Sequence, residues 1–232
     1  MPSKKNPKKY DVVLYGASGF VGRQTVAYFA QYAQAQGRSL RWAVAGRSAE
    51  KLAAVKAACG DGTINAGVVV ADAQDAEALD ALARDATVVL STAGPFALYG
   101  SELVAACVRH GTHYVDITGE TPWVRQLIDR HHLAAAKSGT RIIPFCGFDS
   151  IPSDIGAWLL TQAMQQQFGE LCQSVKASFS VRGGLNGGTL ASVLNIMGSG
   201  QAKSFADPFL LNPQSVRPAN VAAHKDPIGP HK

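Results

Sequence analysis

The chain has 232 residues, 47% hydrophobic and 17% charged, with a formal net charge of +5. This composition supplies core for one large domain, or for one domain and part of a second, and excludes a disordered chain. Lys4, Lys5, Lys8 and Lys9 carry four of the five net positive charges, so the body is close to neutral and no nucleic-acid partner is expected. Residues 1–9 read as a flexible basic leader. They lack the apolar core of a signal peptide, and no run approaches the roughly 20 apolar residues of a membrane span. Cys59, Cys107, Cys146 and Cys172 show neither C-x-x-C nor zinc spacing. They read as free thiols of a cytoplasmic protein with no metal site, and peripheral attachment at the inner face of the plasma membrane stays compatible with this.

In chain order, the first predicted strand ends in Gly16-Ala17-Ser18-Gly19-Phe20-Val21-Gly22 and leads into a helix from Arg23 to about Ala35. The G-x-x-G-x-x-G spacing is a variant of the dinucleotide fingerprint. Gly16 turns the chain, Gly19 admits a pyrophosphate, and Gly22 packs the helix on the sheet. The helix N-terminus then faces the phosphates with free N–H groups. Leu40–Gly46 is the second strand and ends at Arg47-Ser48. An acid at this point would accept a ribose 2′-hydroxyl, whereas a guanidinium binds a 2′-phosphate. NADP(H) is therefore expected over NAD(H), with Arg47 and Ser48 at the phosphate.

Ser48 also caps a helix over Ala49–Ala58, which ends at Gly60-Asp61-Gly62. A third, fully apolar strand, Val68–Ala71, precedes Asp72, which either bonds the adenine amine or closes a turn. Asp75 caps a helix to about Arg84. Thr87–Ser91 is the fourth strand, Ser101–His110 a helix, Tyr114–Asp116 the fifth strand, Pro122–Lys137 a helix and Arg141–Pro144 the sixth strand. Strands alternating with helices, and apolar on both faces, predict an α/β fold: a doubly wound parallel sheet in the order 3-2-1-4-5-6, a Rossmann domain over residues 10–150.

In that topology the first and fourth strands border the ligand crevice. The loop of Thr92, Ala93, Gly94 and Pro95 then lies beside the diphosphate and nicotinamide ribose. Beyond Ser150 the rhythm changes. A helix from Ser153 or Asp154 to about Phe168, an alternating strand over Val175–Val181, glycine pairs at Gly183-Gly184 and Gly187-Gly188, and a helix over Thr189–Gly198 suggest a partial α+β domain for substrate or dimerisation over residues 151–211. Thr189–Gly198 offers a face for a partner subunit, so a homodimer stays open. Residues 212–232, with Pro213, Pro218, Pro227 and Pro230, read as an irregular tail.

No tyrosine has a lysine four residues on, so the proton-donating pair of the short-chain dehydrogenases is missing, and there is no G-x-S-x-G elbow. His131-His132 reads as a helix-surface pair. The remaining polar groups at strand ends are Asp116, Thr118 and Glu120 after the fifth strand and Asp149 after the sixth. Asp116, Glu120 and Asp149 are candidate acid–base groups if burial raises a pKa. The alternative reading is that they cap helices and bond loop backbone.

Ala45-Gly46-Arg47, Gly94-Pro95-Phe96, Tyr114-Val115-Asp116-Ile117-Thr118-Gly119-Glu120, Gly147-Phe148-Asp149-Ser150-Ile151-Pro152-Ser153-Asp154 and Gly187-Gly188-Thr189 follow the glycine loop in order. Together they resemble the saccharopine dehydrogenase-like oxidoreductases, in particular their trans-acting enoyl reductase branch. The resemblance spans about Tyr10 to Pro213. It implies a Rossmann NADP-binding domain and an α+β substrate domain running beyond where this chain stops. It also implies reduction of enoyl groups on polyketide-derived or other lipid-linked acyl substrates, with a synthase as partner, in lipid or glycolipid biosynthesis. A non-catalytic NADP-binding sensor or scaffold is the second reading.

Overall fold

A computed structural model describes residues 7–35, 40–172, 174–180, 182, 184, 187, 191, 192, 194, 198, 207–213 and 215. Strands β1 (Tyr10–Tyr15), β2 (Trp42–Gly46), β3 (Gly67–Val70), β4 (Ala86–Ser91), β5 (His113–Asp116) and β6 (Ile142–Ile143) form one sheet. Its order is β3-β2-β1-β4-β5-β6, and every pairing is parallel. This is the predicted doubly wound order, with β1 and β4 adjacent at its centre.

Period-2 alternation along β1 explains the two cores. Val13 and Tyr15 point to one face, where α3 (Ala76–Asp85), α5 (Ser101–His110) and α6 (Thr121–Ser138) bring Leu79, Leu82, Leu103, Val104, Trp123 and Leu127. Leu14 points to the other, where α1 (Phe20–Ala35) and α2 (Ala49–Cys59) bring Val26, Leu52 and Val55. Two predicted caps form: Ser48 Oγ accepts from Lys51 N at 3.3 Å, and Asp75 Oδ1 accepts from Ala78 N at 3.0 Å.

Several expectations are corrected. Strand β3 is not buried on both faces. It is an edge strand with Val68 and Val70 exposed, because no element of the described residues covers that face. Strand β6 has two residues rather than four, and Ile143 is exposed. A four-residue helix, α4 (Phe96–Tyr99), stands where a loop was predicted. Helix α7 (Ile151–Phe168) starts two residues before the expected Ser153, with Pro152 in its first turn, where a missing N–H costs nothing. Residues 174–180 form no strand. No second strand of the described residues lies there to satisfy a ladder.

Ala191, Ser192, Leu194 and Gly198 are helical, whereas the rest of the predicted Thr189–Gly198 helix, Gly183 and Gly188 lie outside the described residues. So does most of the predicted tail. Of the basic leader, residues 1–6 also lie outside. Lys8 is anchored: its Nζ donates to Ala83 O (3.2 Å), His110 O (3.2 Å) and Thr112 Oγ1 (2.9 Å). A cation thus sits at the C-terminal ends of α3 and α5, where helix dipoles favour it. Among the described residues, no helix is long and apolar enough to cross a membrane.

Candidate functional site

The carboxyl ends of β1, β2 and β4 meet at the glycine turn. Gly16 takes φ +81°, and a Cβ there would lie 2.8 Å from Ala93 N and 3.0 Å from Thr92 Oγ1. A Cβ on Gly22 would collide with Gly16 O. The turn is therefore compact because both positions are glycine. Gly16 N and Ala17 N donate to Ala45 O at 2.9 and 3.1 Å, and Thr92 N donates to Tyr15 O at 2.9 Å. These bonds lock the turn between its two neighbouring strands.

A Cβ on Gly19 would meet only Gly16 O, at 3.3 Å, so its outer side is open. Phe20, Val21 and Gly22 open α1, and among the described residues their amides have no protein acceptor. Three donors without a protein acceptor therefore stand at the positive end of a helix dipole beside the turn. That arrangement fits a diphosphate. Ser18 Oγ lies on the β2 side, 3.9 Å from where a Gly46 Cβ would stand.

Arg47 is exposed just beyond β2, and Ser48 is half-buried beside it. No described residue pairs with the guanidinium in an ion pair. Asp72 Oδ1 accepts from Gln74 N at 2.9 Å, which is the turn-closing arrangement. Tyr15 is 4% exposed. Burial first, then the Asp72 charge, pushes its hydroxyl up to about 12, against an opposing pull from Arg47. Tyr15 thus lies within electrostatic reach of both polar groups at this edge, which its place in a strand sequence does not announce.

On the β4 side, Thr92 is tied down twice, since Oγ1 also donates to Tyr15 O (3.2 Å) and Gly16 O (3.3 Å). Gly94 is exposed, and its peptide bond to Pro95 is cis. Two of the three acid–base candidates are buried: Asp116 is 0% exposed and Glu120 is 2% exposed. Asp116 accepts from Tyr114 Oη (2.9 Å), Thr118 N (3.1 Å) and Phe145 N (3.3 Å). Burial, with a smaller contribution from the Glu120 charge, raises its pKa to about 6 against those three bonds.

Glu120 accepts from Phe96 N (2.8 Å), Ala97 N (3.0 Å) and Ser192 Oγ (2.9 Å). Both carboxyls are thus spent on loop backbone and neighbouring hydroxyls, the alternative held open by the sequence. Asp149 is exposed, its carboxyl 3.4 Å from where a Gly119 Cβ would stand. His131 and His132 line an apolar cavity of about 290 Å³ between α6 and β6, with Leu127, Ile142 and Pro144. None of the candidate residues borders it.

Known proteins are similar to this chain in sequence and in fold. Trans-acting enoyl reductases of Mycobacterium leprae and Mycobacterium tuberculosis are 44% identical over 193 residues and 40% identical over 212 residues. These alignments take in 82% and 90% of this chain, but 45% and 50% of the relatives, so the chain spans about half their length. Apo saccharopine dehydrogenase (L-Glu forming) from Saccharomyces cerevisiae superposes with a TM-score of 0.54 at 22% identity. It covers 68% of this chain and 32% of its own, and supports the fold alone. The sequence profile of the saccharopine dehydrogenase NADP binding domain matches residues 12–143. That span is more than half the chain and runs from β1 to β6, so the chain belongs to the saccharopine dehydrogenase NADP binding domain family.

Proposed function

We propose that the chain holds NADPH across the ends of β2, β1 and β4 and serves an oxidoreductase that reduces the enoyl C=C bond of a lipid-linked or polyketide-derived acyl substrate. The observation that carries the cofactor part is the open glycine turn, with three acceptor-free amides at the start of α1 and a guanidinium where a dinucleotide site for NAD carries an acid. In this reading Gly16, Ser18, Gly19, Phe20, Val21 and Gly22 receive the diphosphate, and Arg47 and Ser48 receive the 2′-phosphate. Asp72 shapes the adenine side through its turn. Thr92, Ala93, Gly94 and Pro95 border the nicotinamide half. The bound nicotinamide would supply the hydride. Asp149, the exposed carboxyl at the strand ends, is the side chain left to orient substrate, and the proton then comes from it or from water.

The relatives' name, trans-acting enoyl reductase, supports the enoyl substrate and a separate synthase as partner, and we place the reaction in lipid or glycolipid biosynthesis. A second reading, an NADP-binding sensor or scaffold, draws on the engagement of Asp116 and Glu120 in loop bonds. An assay separates the two. With enoyl thioesters supplied, the first reading expects loss of NADPH absorbance in step with substrate. Tight NADPH binding with no consumption of any enoyl thioester would establish the second and overturn the first.

A further inference from the structure

Helix α4 has a capping problem that its own sequence does not solve. It follows Gly94 and Pro95, and its N-cap position is Pro95, which makes no side-chain bond. The first two amides, of Phe96 and Ala97, are turned inward: Phe96 is buried and Ala97 half-buried. A buried amide without an acceptor is costly. Glu120 supplies both acceptors from the end of the β5 loop, 24 and 23 residues away, one oxygen to each amide.

Glu120 is itself held in place. Its own amide donates to Thr118 Oγ1 at 3.0 Å, and Ser192 Oγ donates to Oε1. The β4–α4 loop is therefore fixed at two points. Its start is pinned to the glycine turn through Thr92, and its end is pinned to Glu120. Between the anchors lie Ala93, Gly94 and Pro95. Gly94 is exposed, and the three atoms nearest to a Cβ there all belong to Phe96, the closest at 3.3 Å.

We propose that Glu120 is a positioning residue for the nicotinamide half of the cofactor: its buried carboxyl caps α4 from a distance and so sets the path of Ala93, Gly94 and Pro95 along the crevice. Ser192 ties this clamp to the segment that follows the Rossmann domain, so the loop and that segment share one anchor. The inference rests on the cofactor site proposed above. Glu120 touches no ligand and acts through the backbone of the loop. It therefore affects the half of the dinucleotide beside β4 and not the half beside β2.

The test exploits that asymmetry in the full chain. Glu120→Gln keeps the shape but turns an amino group toward one of the two amides. NADPH and adenosine 2′,5′-bisphosphate, which lacks the nicotinamide half, are titrated into both proteins. The variant is expected to bind NADPH about 5- to 50-fold more weakly, the effect of losing one buried charge-assisted pair. Adenosine 2′,5′-bisphosphate affinity is expected to stay within about twofold. Equal losses for both ligands, or no loss for either, would overturn the assignment. Hydrogen exchange on the unaltered chain gives a second reading that needs no variant. The Phe96 and Ala97 amides should exchange slowly before nucleotide is added, and fast exchange there overturns the clamp. If the unaltered chain binds neither ligand, the cofactor site itself is at fault, a result distinct from failure of Glu120.

Discussion

Helices α6 and α7 are both 18 residues long, and both carry proline in the first turn and glycine at the C-cap. They meet opposite fates. Helix α6 buries Pro122, Trp123, Val124, Leu127 and Ala135 against the sheet and α5. Helix α7 is the more apolar by composition and buries nothing among the described residues: Trp158 is 58% exposed and Leu160 56%. The difference is one of placement. The segment of α6 connects two adjacent strands of a parallel sheet, so the crossover lays it on a sheet face. The segment of α7 leaves the last strand and meets no further strand of the described residues. An apolar helix is therefore no guide to a core unless the topology returns it to one, and the nucleotide-binding half owes its packing to the βα rhythm.

The sharpest way to break this comparison is to truncate one tryptophan in each helix. Trp123 is 3% exposed, donates Nε1–H to Ser101 Oγ at 2.9 Å and lies 5.9 Å from the Phe96 ring. Trp123→Ala is expected to cost about 3–5 kcal/mol of unfolding free energy. Trp158→Ala in the same chain is expected to stay within about 0.5 kcal/mol. Chemical denaturation of both variants checks this, and comparable losses would show that α7 packs on something the described residues do not include.

A smaller effect asks what holds the entrance to α6. Neither α6 nor α7 has a side-chain cap at its N-cap residue, but Asp116 anchors the loop that leads into α6. Burial raises the Asp116 pKa from 3.8 to about 6. Between those values the folded chain binds a proton that the unfolded chain has released. Asp116 therefore makes stability fall as pH rises from about 4 to 6, by about 2–3 kcal/mol in all, and the penalty is complete above that window. Asp116→Asn fits the same site: its carbonyl can accept from Thr118 N and Phe145 N while its amide donates to Tyr114 Oη. The variant should fold and lose this component. Denaturation at a series of pH values from 4 to 7 measures the difference between the two proteins, and an unchanged slope would remove Asp116 as its source.

How much of this was legible in the sequence depended on whether the cause was local. The glycine turn, the caps at Ser48 and Asp75 and the strand order could be read because each depends on neighbours a few residues apart or on a repeating rhythm. The exposure of Val68 and Val70 could not, although the predicted order already puts β3 at the sheet edge, since Val68-Val69-Val70 has the same composition as a strand covered on both faces. Helix α4 was hidden because its cap comes from Glu120, and no signal near Pro95 announces it. Lys8 was hidden for the same reason: its partners are the carbonyl ends of two helices that meet only in the folded chain. Of the candidate site, the residues proposed for the cofactor stand at the strand ends where the predicted order puts them. For Asp116 and Glu120 the sequence left two readings open, because a carboxyl that bonds backbone and one that faces substrate look alike in sequence.

In the proposed site Arg47 at the end of β2 selects NADP(H), and the most direct test is a titration of NADPH and NADH into the chain and into Arg47→Ala. NADPH should bind the unaltered chain more tightly than NADH. The substitution should remove about 1.5–3 kcal/mol from NADPH binding alone, or roughly 10- to 150-fold in affinity, and leave NADH unchanged. If the unaltered chain binds NADPH and NADH equally, or if Arg47→Ala leaves the preference for NADPH intact, the guanidinium does not read the 2′-phosphate and the claim is contradicted.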